Sequence, residues 1–254
     1  MKLYFLGTGT SQGIPVIGSN HSVCLSDNPK DKRLRVSVWV HDEDFSVVID
    51  CGPDFRQQML TSKCQHVDAI LFTHEHSDHT AGLDDIRPFN FKQGPMPLYA
   101  HQRVLDNLKN RFEYIFESEN KYPGSPSVDV FEVVNNQPFT IKNHSIIPIN
   151  ALHGSLQVFG YRIGSMAYLT DVKTIEAGEM EKLRGLKVLV INALREEPHH
   201  SHFNLQDALD FVNLIRPEKA YFTHISHILG FHDEVQKKLP DNVFLAYDTL
   251  ELTL

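Results

Sequence analysis

The sequence predicts an α/β fold in which mixed β-sheets are covered by helices. Three observations support it: short apolar and β-branched runs recur along the 254-residue chain, segments with helical periodicity alternate with them, and several predicted strands follow one another as in hairpins. The chain has no Pro/Gly/Ser-rich linker, repeat or low-complexity tract. We therefore expect a single domain spanning residues 1–254.

Each predicted element rests on its local pattern. Runs rich in Val, Ile, Leu, Phe and Tyr predict strands at 3–6, 34–40, 45–49, 69–73, 128–134, 145–149, 158–163, 167–170, 188–191 and 220–223. Apolar residues that recur three and four positions apart predict helices at 101–116, 175–183, 205–215 and 234–239.

Composition limits the class of partner. The formal charge of -8 disfavours a generally basic nucleic-acid binder. Two small basic clusters, one at Lys32, Arg33 and Arg35 and one at Lys237 and Lys238, are interpreted as solvated faces. The apolar run at the N-terminus is too short for a secretory signal, and no later run approaches a membrane span. Three irregularly spaced cysteines indicate no disulfide framework, so we expect a cytoplasmic protein.

The densest group of metal-binding residue types is at residues 73–82, which read THEHSDHTAG directly after an apolar run. Residues two apart on an extended backbone point the same way, so His74 and His76 can face one metal ion as the chain leaves a strand. Asp78 and His79 lie where the backbone starts to curl and can face a second ion. Such nitrogen and carboxylate ligands suit zinc, iron and manganese. The segment predicts a metal site rather than a polar surface loop.

On the string His-x-His-x-Asp-His, the chain resembles the metallo-β-lactamase superfamily of hydrolases. The resemblance implies an αββα sandwich of two mixed sheets with helices outside and metals at one edge. It implies further ligands on loops after strands, matched here by His153, Asp171 and His224. By resemblance, one ion is held by His74, His76 and His153 and the other by Asp78, His79 and His224, with Asp171 bridging. Asp50 matches a carboxylate that orients a histidine ligand.

The first 35 residues narrow the resemblance. The glycine-rich run LGTGTSQGIP at 6–15, together with DKRLR at 31–35, resembles the PhnP-like (phosphoribosyl 1,2-cyclic phosphate phosphodiesterase) branch and, more distantly, tRNase Z. Glycines in such a run let backbone amides face an anion, although a tight structural turn is the default for any such loop. The resemblance spans nearly the whole chain and is vague between about 88 and 150.

The same branch often carries a structural zinc held by Cys-x-Cys-x-x-Cys and a distant histidine. Here Ser19, His21 and Cys24 stand at the corresponding positions, with His227 as the distant residue. Two cysteines are missing and a closed zinc site needs four donors. An ordinary loop with a packed Cys24 is therefore favoured over a zinc site at His21, Cys24 and His227.

A histidine cluster, PHHSHFN at 198–204, precedes the predicted helix 205–215. Cleavage of a phosphodiester needs a donor for the leaving oxygen, and a histidine with a pKa near neutrality can supply it. By position, His200 matches the catalytic histidine of the PhnP-like branch and His202 that of tRNase Z. We expect His200 to be the acid, with His202 competing and Asp78 as the next catalytic candidate. The alternative is a capping residue followed by a helix, with the histidines in solvent.

Together these features predict a phosphodiesterase with two divalent transition-metal ions, zinc, manganese or iron. By resemblance it hydrolyses a small cyclic phosphate ester through a metal-bridging hydroxide. One alternative is tRNA 3′-end processing, which the acidic charge and the lack of a long basic insertion disfavour; another is a lactone or thioester hydrolase. A non-catalytic scaffold would lack ligands, and none is missing. The expected partner is the small substrate, not nucleic acid or a membrane. The aromatic segment 88–127 is interpreted as core, pocket wall or homodimer surface.

Overall fold

The computed structural model describes residues 1–117 and 121–254, so part of the aromatic segment 88–127 lies outside the described residues. It contains fourteen strands. They are β1 (Lys2–Gly7), β2 (Ser37–His41), β3 (Ser46–Ile49), β4 (Ala69–Leu71), β5 (Met96–Ala100), β6 (Val128–Glu132), β7 (Phe139–Ile141), β8 (His144–His153), β9 (Leu156–Ile163), β10 (Met166–Leu169), β11 (Val188–Asn192), β12 (Lys219–Thr223), β13 (Val243–Leu245) and β14 (Glu251–Thr253).

The described residues also form eight α-helices and four short 3₁₀ turns. The helices are α1 (Phe55–Ser62), α2 (Ser77–Thr80), α3 (Arg87–Gln93), α4 (Gln102–Arg111), α5 (Glu113–Phe116), α6 (Ala177–Met180), α7 (Leu205–Ile215) and α8 (His232–Gln236). None of them combines the length and the apolar character that crossing a lipid bilayer requires, within the part of the chain that the structure describes.

The strands form two seven-stranded mixed sheets. One has the order β14-β1-β2-β3-β4-β5-β6 and the other β13-β12-β11-β10-β9-β8-β7. Strands β3 to β6 are mutually parallel, as are β10 to β13. Because parallel strands end at the same edge of a sheet, the loops that follow them lie side by side. This arrangement places the loops after β3, β4, β10 and β12 near one another.

The main apolar core lies between the two sheets. Phe5 and Val38 of the first sheet share one buried cluster with Phe159, Tyr161 and Tyr168 of the second. Outer clusters bury α1, α3 and α4 against the first sheet and α7 and α8 against the second. Both faces of each sheet are thus covered by apolar contact. The αββα sandwich that the sequence resemblance implied is confirmed.

Several predicted boundaries were wrong, for identifiable reasons. The strand predicted at 34–40 begins only at Ser37, because the amide of Leu34 binds the Asp248 carboxylate instead of a neighbouring strand. The helix predicted at 101–116 breaks at Phe112, whose ψ of 41° is not helical. Strand β5 was missed because Pro97 argues against a central strand.

The basic cluster at 32–35 is not the solvated face that was predicted, because Arg33 is almost fully buried. Its Nη1 donates to Thr8 Oγ1 at 2.7 Å and to the Ala246 carbonyl at 2.5 Å, and its Nη2 lies 3.1 Å from His232 Nδ1. Burial lowers the pKa of Arg33 to about 10, against the opposing effect of Asp248 and Asp31. The guanidinium therefore stays charged at neutral pH and ties the N-terminal loop to the C-terminal segment.

We expect His232 to make unfolding pH-dependent. Burial, and then the Arg33 charge, lower the pKa of His232 to about 4, whereas an unfolded histidine titrates near 6.5. Between these values the unfolded chain binds more protons, so the stabilisation is complete above about pH 6.5 and is lost as pH falls towards 4. His232→Gln should abolish this loss. The free energy of unfolding of the wild type, minus that of His232→Gln, should fall by about 2 to 3 kcal/mol between pH 7 and pH 4. Urea unfolding of the metal-free proteins measures this difference. A pH-independent difference would contradict it.

Candidate metal centre

The residues proposed from sequence as ligands gather where strands of both sheets end. Asp50 follows β3, the segment 73–79 follows β4, and Asp171 and His224 follow β10 and β12. His153 is the last residue of β8, at the turn into β9. The structure thus brings side chains 150 residues apart in sequence, from His74 to His224, into one cluster.

Three of these residues leave their strands through an unusual backbone conformation. Asp50, Asp171 and His224 have φ values of 67°, 58° and 54°, in the left-handed region. Non-glycine residues rarely adopt this region, although Asp and His tolerate it better than most. Strained backbone of this kind tends to occur at functional sites. Here it turns the chain sharply at each strand end.

Asp50, predicted from the resemblance to orient a histidine ligand, contacts the ring of His79. Asp50 is fully buried, and its Oδ2 lies 2.7 Å from His79 Nδ1. The backbone and hydroxyl of Thr73 donate to the same carboxylate at 2.8 and 2.9 Å. Because Nδ1 of His79 is held by this carboxylate, Nε2 is the atom left to face the cluster. The sequence interpretation did not single out Thr73, which contacts this carboxylate through both its backbone and its hydroxyl.

Asp171 is the carboxylate shared by most of the cluster. Its Oδ1 lies 2.9 Å from His202 Nε2 and 3.3 Å from His224 Nε2, and its Oδ2 lies 3.2 Å from His79 Nε2. Burial alone would raise the pKa of Asp171, but His224 and His79 outweigh it and hold that pKa well below its usual range. Asp171 therefore stays ionised and can accept from, or coordinate between, several groups.

The donor set fits a metal centre. Ligand atoms within 4.8 Å of one another occur in three groups: His74, His79 and Asp171; Asp78, His79 and His224; and His153, Asp171 and His202. His79 Nε2 and both ring nitrogens of His224 are buried without a hydrogen-bond partner among the described residues. Unpaired buried polar atoms are costly, and cations that accept their lone pairs would relieve the cost. Burial, reinforced by His79, holds the pKa of His74 well below its usual range, which keeps its lone pair available.

His76 and His153 lie at the more open side of the cluster. His76 is exposed, but its Nδ1 is 2.9 Å from His74 Nε2. His153 Nδ1 donates to the Ser201 carbonyl at 2.8 Å, which leaves Nε2 as its free ring atom. The rings of His76 and His153 lie 5.3 Å apart. These two side chains thus lie beside His74, with ring centroids 4.6 and 5.7 Å from its ring.

The histidine cluster at 199–202 divides between the centre and the surface. His202 is mostly buried on Asp171, and burial lowers its pKa to about 4 despite that carboxylate. His200 is exposed, and within the described residues its side chain makes no hydrogen bond. His199 lies between them, with its Nδ1 3.1 Å from His202 Nδ1. The structure therefore brings His202, and not His200, into contact with the cluster.

The segment 198–204 also caps helix α7, as the alternative interpretation of the sequence expected. Asn204 Oδ1 accepts from the Asp207 amide at 2.8 Å, and Asp207 Oδ2 accepts from the Asn204 amide at 3.3 Å. This capping box fixes the start of α7. The amide of Phe203 donates to the Val172 carbonyl at 2.7 Å, which anchors the loop beside Asp171. Capping and presentation of His202 are thus compatible.

At the second zinc position considered from sequence, the described residues bring the two histidine rings together but not the Cys24 thiol. The rings of His21 and His227 lie 5.0 Å apart. Cys24 is buried, and its Sγ accepts from the Val16 amide at 3.5 Å. Among the described residues no group of three metal donors forms here. The geometry resembles the ordinary-loop alternative more than a four-donor site.

The glycine-rich run packs as structure beside the centre. A Cβ on Gly7 would lie 2.1 Å from the Arg35 carbonyl, and Gly9 bridges to both Arg35 and Ile225. Ile225 directly follows His224, and its amide donates to the Thr8 carbonyl at 2.9 Å. The close backbone approach at Gly7 explains the need for glycine there. The run thus packs against the loop that carries His224 and is hydrogen-bonded to it.

Comparison with known proteins agrees with this site. The model of the β-lactamase superfamily domain matches residues 46–225. An octanoyltransferase of Porphyromonas gingivalis is 40% identical over 253 residues, which are 99% of this chain but 51% of that protein. A ribonuclease Z of Bacillus licheniformis is 30% identical over 64% of this chain and 48% of its own. The chain thus spans about half the length of these curated relatives.

Among solved structures, a diphosphatase from the PhnP family has a TM-score of 0.93 and 40% identity, covering 100% of this chain and 97% of its own. Zinc-bound PqqB from Methylobacterium extorquens has a TM-score of 0.82 with 17% identity over the full length of both chains. The second likeness concerns the fold alone.

Proposed function

The chain belongs to the metallo-β-lactamase superfamily of hydrolases, and from this premise we propose that it is a PhnP-like, metal-dependent hydrolase of small phosphoric diesters, cyclic ones included. The observation that carries the proposal is the buried His and Asp cluster around Asp171. The 40% identity with a PhnP-family diphosphatase over the full chain supports the PhnP-like branch and makes a diphosphate the competing substrate class. We also propose that residues 1–254 form one catalytic domain and that the protein acts in the cytoplasm.

The proposed ligands fall into two sets that share Asp171. His74, His76 and His153 would hold one ion, and Asp78, His79 and His224 the other. Zinc or manganese is the proposed metal, since nitrogen and carboxylate donors suit both. When bound, two such metal ions would supply an activated water and positive charge beside the non-bridging oxygens of the phosphate.

Two carboxylates of the protein hold the histidine rings of the centre in place. Asp50 keeps the His79 ring oriented through its 2.7 Å contact with Nδ1. Asp171 holds His202 Nε2 at 2.9 Å. Burial lowers the pKa of His202, but the Asp171 carboxylate opposes this effect by favouring the protonated ring. We therefore propose that His202, protonated beside Asp171, would be the donor to the leaving oxygen. Asp78 remains the second catalytic candidate.

Two other functions have a specific observation behind them. The ribonuclease Z relatives support RNA cleavage, but the formal charge of -8 disfavours a polyanionic partner. The octanoyltransferase relative is about twice as long as the matched region, so its name does not carry over to this chain. An acyl thioester is nevertheless a substrate for the same hydroxide chemistry, and it belongs in the test.

The test is a substrate panel on metal-reconstituted protein at physiological salt. It compares a ribose cyclic phosphate, a 2′,3′-cyclic nucleotide, a linear diester, a diphosphate ester, pre-tRNA, a lactone and octanoyl thioester. We expect kcat/KM for a small phosphodiester to exceed that for every other class by at least about tenfold, equivalent to about 1.4 kcal/mol of transition-state binding. Faster processing of pre-tRNA would favour the ribonuclease, and faster acyl cleavage would favour the esterase chemistry.

A further inference from the structure

Glu75 lies between the candidate ligands His74 and His76, but its carboxylate belongs to none of the ligand groups among the described residues. It contacts Arg103 of α4. Arg103 Nη2 donates to Glu75 Oε2 at 3.1 Å, and Arg103 Nε lies 2.9 Å from Oε1. Only Nη2 makes a hydrogen bond, and the Nε contact is an ion-pair contact without hydrogen-bond geometry. Together the two contacts hold the planar guanidinium against both carboxylate oxygens.

The same guanidinium reaches a second ligand-bearing segment. Arg103 Nη2 donates to the Gln157 carbonyl at 2.6 Å. Gln157 pairs with Leu152 across the β8–β9 hairpin, one step from His153. Arg103 therefore joins the loop that carries His74 and His76 to the hairpin that carries His153, although these segments come from different sheets.

Arg111 also contacts this loop, at the Glu75 backbone and at Thr80. It lies eight residues after Arg103 on the same helix, so the two side chains share one face. Its Nη1 donates to the Glu75 carbonyl at 3.1 Å and to Thr80 Oγ1 at 2.8 Å. These contacts bracket Asp78 and His79. Helix α4 thus holds the loop on both sides of its ligands.

A stabilising salt bridge would explain such contacts without any link to the centre. Partly exposed ion pairs contribute only about 0 to 1 kcal/mol to stability, and the Arg103 side chain is 36% exposed. Stability alone, however, does not require that one side chain contact both the loop of His74 and His76 and the hairpin of His153. Metal sites, in contrast, depend on outer contacts that hold their ligands in register.

We propose that Arg103, assisted by Arg111, is a positioning residue that holds His74 and His76 in register with His153 and thereby sets metal affinity. The inference rests on the metal centre of the proposed function. It assigns Arg103 no contact with substrate. Its effect is exerted through Glu75 and the Gln157 carbonyl.

The test measures metal affinity by chelator competition and records the visible absorption of the cobalt-substituted protein. Arg103→Met should weaken metal binding by about 10- to 100-fold and alter the cobalt spectrum. Arg103→Lys should restore only part of the affinity, because the lysine side chain is one bond shorter and lacks the planar Nε and Nη2 pair that faces both Glu75 oxygens. Glu75→Gln, which keeps an oxygen for Nη2, should lose less than Arg103→Met.

Arg87→Met is the matched control, since Arg87, the first residue of α3, is 37% exposed and pairs at 2.6 Å with Asp84 of the preceding 3₁₀ turn. It should bind metal like the wild type. Equal affinities for Arg103→Met and Arg87→Met would overturn the inference while leaving the metal centre intact. A wild-type protein that binds no metal would overturn both. If Arg103→Met does not fold, Arg103→Lys and Glu75→Gln decide, and wild-type affinity in both refutes the inference.

Discussion

Replacing Asp171 by asparagine should abolish tight binding of both metal ions. The wild-type protein should hold about two transition-metal ions per chain at this centre. Asp171 contacts His79, His202 and His224 within 3.3 Å and belongs to two of the three ligand groups. An amide offers a single uncharged acceptor in place of two carboxylate oxygens, so affinity for both ions should fall by more than about 10²-fold. Elemental analysis of protein prepared without chelator measures the stoichiometry, and chelator competition the affinity.

Asp68→Asn provides the control for this change. Asp68 is also largely buried and accepts from the Ser46 amide at 2.9 Å, but it lies outside the cluster. Its asparagine variant should keep two ions. Binding of one ion in the wild type, or two tightly held ions in Asp171→Asn, would contradict the dinuclear assignment.

Removal of the His202 ring should slow hydrolysis most for substrates whose leaving group has a high pKa. A sugar alkoxide must be protonated as it leaves, whereas p-nitrophenolate leaves largely unaided. His202→Ala should therefore reduce kcat for a sugar cyclic phosphate by about 10²-fold or more and that for a p-nitrophenyl diester much less. Steady-state kinetics on both substrates, with metal content measured in parallel, gives the comparison.

The neighbouring histidines serve as controls of similar chemistry. His200 is exposed and His199 only partly buried, so their alanine variants should have mild effects on both substrates. A selective loss in His200→Ala, with His202→Ala near normal, would restore the assignment that chain position suggested. If all three variants turn over the sugar substrate normally, the acid lies elsewhere, and Asp78 is next.

Local spacing was enough to locate the metal-binding loop. His74, His76, Asp78 and His79 lie within six positions after a buried strand, so their convergence depends only on strand and turn geometry. The apolar runs that predicted most strands carry the same kind of local information. The distant ligands His153, Asp171 and His224 were placed by resemblance rather than by spacing. The structure brings them to the same cluster.

Contacts between distant segments were decided by tertiary structure alone. Nothing local in the sequence distinguishes buried Arg33 from the half-buried Lys32 and Arg35, or pairs Glu75 with Arg103, because both depend on which elements pack together. The choice between His200 and His202 depends on how the loop before α7 is anchored to Val172. Periodicity records whether a side chain faces the core, whereas the partner it meets there depends on strand order and helix placement.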